Sequence, residues 1–114
     1  MVTIYHNPRC SKSRATMKIL EEKGIKSKVI EYLKTPPDAK TLDGFLKKLG
    51  MEPRQLMRRS EAPYKELNLA DKDKDRAALI RAMVDNPILI ERPIVVNGSK
   101  VALGRPPENV LGIL

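Results

Sequence analysis

The first 33 residues carry a strand, a helix and a second strand, and few folds accommodate that opening. "VTIY" at 2–5 is a short β-branched and aromatic run, read as a strand. After the loop "HNPR", the stretch from Ser11 to Lys23 reads as a helix, with an apolar stripe of Ala15, Thr16, Ile19 and Leu20 and with Gly24 in the C′ position. "KVIEYL" at 28–33 reads as the second strand. A strand–helix–strand unit this short predicts parallel strands joined by a right-handed crossover.

The rest of the chain completes the pattern. "KTPPDAK" breaks the order, and Asp38 is read as the N-cap of a helix running through Leu42, Phe45, Leu46 and Leu49 to Gly50. Residues 53–70 read as short helical turns, and a further helix spans roughly Asp73–Asp85 with Leu79, Ile80, Met83 and Val84 inward. "PIVVNGSKVAL" is two apolar runs around Asn97-Gly98, a strong antiparallel hairpin signal. "PPENVLGIL" places proline at the start of a short terminal helix. The order β-α-β, helical block, β-β-α is an α/β fold with a mixed sheet. It has the thioredoxin-like topology, as one domain over 1–114 with a helical insertion at about 38–86.

The 114 residues suffice to bury one core, and 41% apolar with 32% charged composition argues against disorder. No run of 18 apolar residues and no signal-peptide pattern occurs, so a membrane span is not expected and the default location is cytoplasmic. The single cysteine fits a reducing compartment. The net charge of +8 raises the question of nucleic acid. Residues 1–60, however, hold 14 basic and 6 acidic side chains, whereas 61–114 hold 8 of each. With only 4% aromatic residues and no Trp, a base-stacking surface is poorly supported. A small anionic ligand explains a localised excess equally well.

That excess surrounds "HNPRCSKSR" at 6–14, which holds the only cysteine, Cys10, and the only histidine, His6. The spacing puts Cys10 at or just before the first turn of the first helix. Unpaired N–H groups and the helix dipole there favour an anion such as a thiolate. Arg9, Lys12 and Arg14 add positive charge. The thiol is expected to fall from about 8.5 into the range of about 4–7.5. His6 has two open roles: protonated, it stabilises the thiolate; neutral, it accepts the proton. Basic residues at a helix N-terminus are electrostatically misplaced unless an anion sits there. A Cys-x5-Arg phosphatase loop is absent, Ser13 takes the second place of a Cys-x-x-Cys pair, and one Cys with one His makes a metal site improbable.

Five segments then carry a resemblance over nearly the whole chain. They are "IYHNPRCSKSR" at 4–14, "EYLKTPP" at 31–37, "LMRRSEAPYKEL" at 56–67, "NPILIERPIVV" at 86–96 and "GRPPENVLGIL" at 104–114. The sequence resembles the glutaredoxin-coupled arsenate reductase family, the ArsC family of thioredoxin-fold proteins. The resemblance implies Cys10 as nucleophile, with His6 matching a histidine thought to help ionise it. It implies Arg58, Arg92 and Arg105 as the arginines that hold the oxyanion, and a cis proline at Pro93 facing the active-site loop. Guanidinium forks suit such a ligand, because they bind tetrahedral oxyanions bidentately. Arg9 before the cysteine and Ser11-Lys12 after it depart from the small neutral flanks of many family members.

The resemblance further implies reduction of arsenate to arsenite through a cysteine-thiolate adduct. Glutathione would be the co-substrate, glutaredoxin the partner, and no cofactor would be tightly bound. A single cysteine allows no internal resolving thiol, which points the same way. Two other readings share these residues. One is a monothiol oxidoreductase acting on glutathione mixed disulfides through Cys10-x-x-Ser13. The other is an Spx-like regulator contacting RNA polymerase, although such regulators commonly use the Cys-x-x-Cys switch that Ser13 removes here.

Overall fold

The computed structural model describes residues 2–114. They form two compact units, one from the chain up to Thr35 together with Arg92–Leu114, the other from Pro36–Glu91. No helix among the described residues is long and apolar enough to cross a membrane.

The first unit is built on a mixed four-stranded sheet. Its elements are β1 (Val2–His6), α1 (Ser11–Glu22), β2 (Ser27–Glu31), β3 (Ile94–Asn97) and β4 (Lys100–Leu103), followed by a 3₁₀ segment at Pro107–Ile113. The strand order is β2-β1-β3-β4, with β1 parallel to β2 and antiparallel to β3, and β3 antiparallel to β4. This is the thioredoxin-like arrangement. Alternation along β1 sends Val2 and Ile4 to one face, where they bury with Leu20, Val95, Ala102 and Val110.

Two local readings shift. The buried face of α1 is Ser13, Thr16 and Leu20, while Ala15 is exposed. Ser13 can be buried because its hydroxyl is satisfied: Oγ lies 2.6 Å from His6 Nδ1 and accepts the Asn7 N–H at 3.0 Å. In the hairpin, Asn97 pairs with Lys100 and belongs to β3, so the two-residue link is Gly98–Ser99. Gly98 supplies the left-handed φ of 61° that the turn requires.

Sheet register gathers four loose ends at one edge. His6 pairs with Glu31, Tyr5 with Ile94, and Ile94 with Leu103. The C-terminal ends of β1, β2 and β4 therefore meet the N-terminal end of β3, and the segments holding Cys10, Arg92 and Arg105 leave from that edge. The peptides Arg92–Pro93 and Arg105–Pro106 are both cis. Close packing fixes the place where they meet. A Cβ on Gly104 would lie 2.6 Å from Thr16 Oγ1 and 2.8 Å from Pro93 Cγ. Gly104→Ala is accordingly expected to destabilise the protein by about 1–3 kcal/mol through overpacking. Thermal unfolding checks this, and an unchanged melting temperature would refute it.

The second unit is helical. α2 (Ala39–Leu49) starts at Asp38, whose Oδ1 accepts the Thr41 N–H at 2.8 Å, and ends at Gly50 with φ 67°. A 3₁₀ turn at Pro53–Leu56, α3 (Ala62–Glu66), α4 (Arg76–Asp85) and a 3₁₀ turn at Pro87–Leu89 follow. α4 begins later than the sequence suggested. Asp75 caps it by accepting the Ala78 N–H, while Asp71 and Asp73 close a separate turn between themselves. Leu42, Leu46, Leu79 and Met83 are buried. Residues 87–91 belong with these helices because Met57 and Ile90 form an antiparallel bridge, so the unit runs wider than the 38–86 read from the sequence.

Candidate active site

Cys10 is the N-cap residue of α1, in extended conformation (φ −92°, ψ 125°), and is only 8% exposed. Its own N–H donates to Asn7 O, and its carbonyl accepts from Arg14 N–H, both at 3.0 Å. The "HNPR" loop is thus closed into a tight turn that delivers the sulfur to the helix start. The Ser13 and Lys12 amides are aimed at the sulfur without completing a side-chain cap hydrogen bond.

Burial is the largest single influence on the thiol and pushes its pKa up. The Ser13 amide, the charge of Arg92, the Lys12 amide and a hydrogen-bonding contact from Arg92 oppose it. Together they win, and Cys10 lies below the ordinary thiol range. Lys12 contributes its backbone N–H here. Arg14, also read as a source of field, turns its Nη1 to Pro8 O at 3.0 Å. Arg9 and Lys12 are exposed.

His6 closes β1, where the sequence had it opening a loop. Burial lowers its pKa; Glu31 opposes this and Arg14 reinforces it, with the net direction downward. The shift favours the neutral imidazole. Its Nδ1 meets the Ser13 hydroxyl, the same residue whose amide faces Cys10. The sequence reading took Ser13 as the second position of a Cys10-x-x-Ser13 pattern and gave it no contact with Cys10 or His6. The signal that could have found it is its position as N3 of the helix, where an N–H faces an N-cap anion.

Arg92 is 8% exposed, and its Nε and Nη1 are buried with no hydrogen-bond partner among the described residues. A buried guanidinium edge without acceptors is costly, and two such nitrogens beside a low-pKa thiol make a place suited to an oxyanion. Arg105 Nη1 reaches the Arg92 carbonyl at 3.4 Å. Arg58 lies in the helical unit, bound to Glu61 Oε1 at 2.8 Å and Glu91 Oε1 at 3.2 Å. The fold thus brings His6, Cys10, Arg92 and Arg105 to one sheet edge and supplies Arg58 with two carboxylate partners. Among the described residues no group of three or more His, Cys, Asp or Glu is placed to hold a metal ion.

The rate of Cys10 alkylation by iodoacetamide is expected to rise with pH through an inflection below the free-thiol value of about 8.5, because only the thiolate reacts. An inflection at or above that value would contradict the assigned surroundings.

Comparison with known proteins places this geometry. Residues 5–113 match the ArsC family. YfgD of Escherichia coli K12, an uncharacterized protein, is 60% identical over 99% of this chain and 96% of its own. The arsenate reductase of Neisseria meningitidis serogroup B is 49% identical, covering 99% of this chain and 97% of that protein. Among solved structures, an arsenate reductase from Vibrio cholerae superposes with a TM-score of 0.95 at 52% identity, covering 99% and 97% of the two chains.

Proposed function

This chain belongs to the ArsC family, and we propose that it works as an arsenate reductase with Cys10 as nucleophile and an external thiol as reductant. The observation that carries the reading is the Arg92 guanidinium, buried with Nε and Nη1 unpartnered beside the lowered Cys10 thiol. Relatives named arsenate reductase at 49% identity over nearly the full length support the substrate.

In the proposed reaction the Cys10 thiolate attacks arsenate and an oxygen leaves as water, which gives a sulfur–arsenic(V) adduct. Arg92 and Arg105 neutralise the oxyanion, so that one anion can approach another. Arg58 is carried over from the family pattern as a third anion ligand. Glutathione then attacks the Cys10 sulfur. The sulfur–arsenic electron pair goes to arsenic, arsenite leaves, and a Cys10–glutathione disulfide remains. A second thiol, from glutaredoxin, takes the glutathione and restores Cys10. Two thiols are oxidised to one disulfide for each arsenic reduced. The chain has one cysteine, so both electrons must come from outside. In this reading neutral His6, whose Nδ1 meets the Ser13 hydroxyl, serves as the proton acceptor for Cys10.

The test is arsenite production by the purified protein with glutathione and glutaredoxin. Turnover is expected with the full system and none with glutathione omitted. Sustained arsenite formation without an added thiol would overturn the resolving step. No arsenite under any donor, with ready glutathionylation of Cys10, would replace the proposal with a monothiol oxidoreductase.

A further inference from the structure

The loop that delivers Cys10 also walls a cleft that no step of the proposed reaction occupies. The cleft, of 400 Å³, opens between the His6–Arg9 stretch on one side and Glu31, Leu33 and Lys34 on the other. That volume falls within the range of small-molecule pockets, about 300–1,000 Å³. All of its residues belong to the first unit. Backbone hydrogen bonds fix both walls. On one side Arg9 N–H donates to Asn7 Oδ1 and Cys10 N–H to Asn7 O, each at 3.0 Å. On the other, the Lys34 and Thr35 N–H groups donate to Glu31 O at 2.9 and 3.0 Å, a turn that closes the end of β2 and carries Leu33 and Lys34. His6 and Glu31 are register partners, which holds the two walls side by side.

The lining has a definite chemistry. Arg9 and Lys34 bring two positive charges and Glu31 one negative charge. Glu31 and Lys34 are both exposed and pair at 3.8 Å, a weak contact readily exchanged for the charges of a ligand. Leu33 stays 44% exposed beside them and offers an apolar surface to methylene groups. The complement of this pattern is a small molecule with two carboxylates, one ammonium and an aliphatic body. Position adds a second argument. Displacement at sulfur runs in line, with the nucleophile opposite the leaving group. The strand order β2-β1-β3 puts the cleft on the β2 flank of the Cys10 loop, and Arg92, two residues before β3, on the other flank. An oxyanion held at Arg92 therefore leaves the cleft side of Cys10 to an incoming thiol.

We propose that this cleft is the docking site of the reductant, a γ-glutamyl tripeptide thiol of the glutathione class. Arg9 and Lys34 take its two carboxylates, Glu31 its ammonium, and Leu33 its methylenes. The inference rests on the reading of an external thiol as the reductant. From the cleft the tripeptide thiolate attacks the Cys10 sulfur and a sulfur–sulfur bond forms. The sulfur–arsenic bond breaks toward Arg92, its electron pair goes to arsenic, and arsenite leaves. The same site acts without arsenic on oxidised glutathione. There the Cys10 thiolate attacks one sulfur, the disulfide bond breaks, and one glutathione thiolate departs.

The experiment measures by mass spectrometry how fast Cys10 forms a mixed disulfide with oxidised glutathione and with bis(2-hydroxyethyl) disulfide, which is uncharged. It compares the parent with Arg9→Gln/Lys34→Gln and with Lys18→Gln/Lys23→Gln, which removes as many charges toward the far end of α1. In the cleft variant the ratio of the two rates is expected to fall about three- to tenfold, the scale of two exposed charge contacts, with the loss confined to glutathione. Its iodoacetamide inflection should not move, because the Ser13 and Lys12 amides and Arg92 lower the thiol. The α1 variant should keep the ratio within about twofold, since distant exposed charges are screened. In arsenite formation the cleft variant should show a raised KM for glutathione and a nearly unchanged kcat. An unchanged ratio in the cleft variant would overturn the proposal. So would an equal fall in the α1 variant, which would reduce the effect to a general field, or an equal loss with both disulfides. A parent that reduces arsenate while the cleft variant keeps its ratio leaves the function standing and removes the cleft alone. A charge-dependent ratio in a parent that reduces no arsenate leaves the cleft standing and removes the arsenate reading. A parent that forms no mixed disulfide with oxidised glutathione removes the cleft and the external thiol together.

Discussion

Cys10→Ser is expected to abolish arsenite formation, by about 10⁴-fold or more and below detection in an assay with glutathione and glutaredoxin. The reason is specific to sulfur. A serine hydroxyl at an N-cap position is not ionised near pH 7, and even an oxygen–arsenic ester could not be resolved by thiol attack into a disulfide. The variant should still fold. Serine is a preferred N-cap residue and differs from cysteine by one atom. Sulfate affinity should remain within a few-fold of the parent, because Arg92 and Arg105 are untouched. Mass spectrometry should find the glutathione mixed disulfide on the parent and none on the variant, which contains no thiol. Residual turnover above the uncatalysed rate would show that the nucleophile has been misplaced.

Arg92→Ala should have the second-largest effect, on two measurements at once. The Arg92 charge and its hydrogen-bonding contact both lower the Cys10 thiol, so their removal should move the alkylation inflection to higher pH. Oxyanion binding should weaken about tenfold to a hundredfold, the equivalent of about 1.5–3 kcal/mol for a lost charge-assisted contact. Stability should not fall in parallel. A buried guanidinium with two unpartnered nitrogens is a cost to the anion-free fold, so its removal should leave the melting temperature unchanged or higher. Sulfate should raise the melting temperature of the parent and not of the variant, since only a ligand that binds the native state shifts that equilibrium. Arg92→Lys separates the two roles. It keeps a charge near the thiol but lacks the planar fork, so the inflection should recover more fully than the anion affinity. Equal sulfate affinity and an unmoved inflection in Arg92→Ala would remove Arg92 from the site.

The parts of this protein legible in the sequence are those governed by local periodicity and backbone chemistry. β1 and β2, the helix between them and the hairpin around Gly98 follow from spacing and turn residues. Asp38 at an N-cap and Gly50 in the left-handed region stand where the pattern put them. The position of Cys10 at the start of α1 was legible for the same reason, because a helix start is signalled within a few residues. Tertiary structure decided which polar groups meet. Ser13 is buried while Ala15 is exposed. His6 spends Nδ1 on Ser13, the Arg14 guanidinium turns to Pro8, Arg58 is clasped by Glu61 and Glu91, and Arg92 is buried with two nitrogens unpartnered. Apart from the local Arg58–Glu61 pair, these arrangements have no period to read. Charge and hydrogen-bonding partners are assigned by where the chain brings segments together, and the same residues spaced the same way could satisfy one another in many combinations until packing selects one.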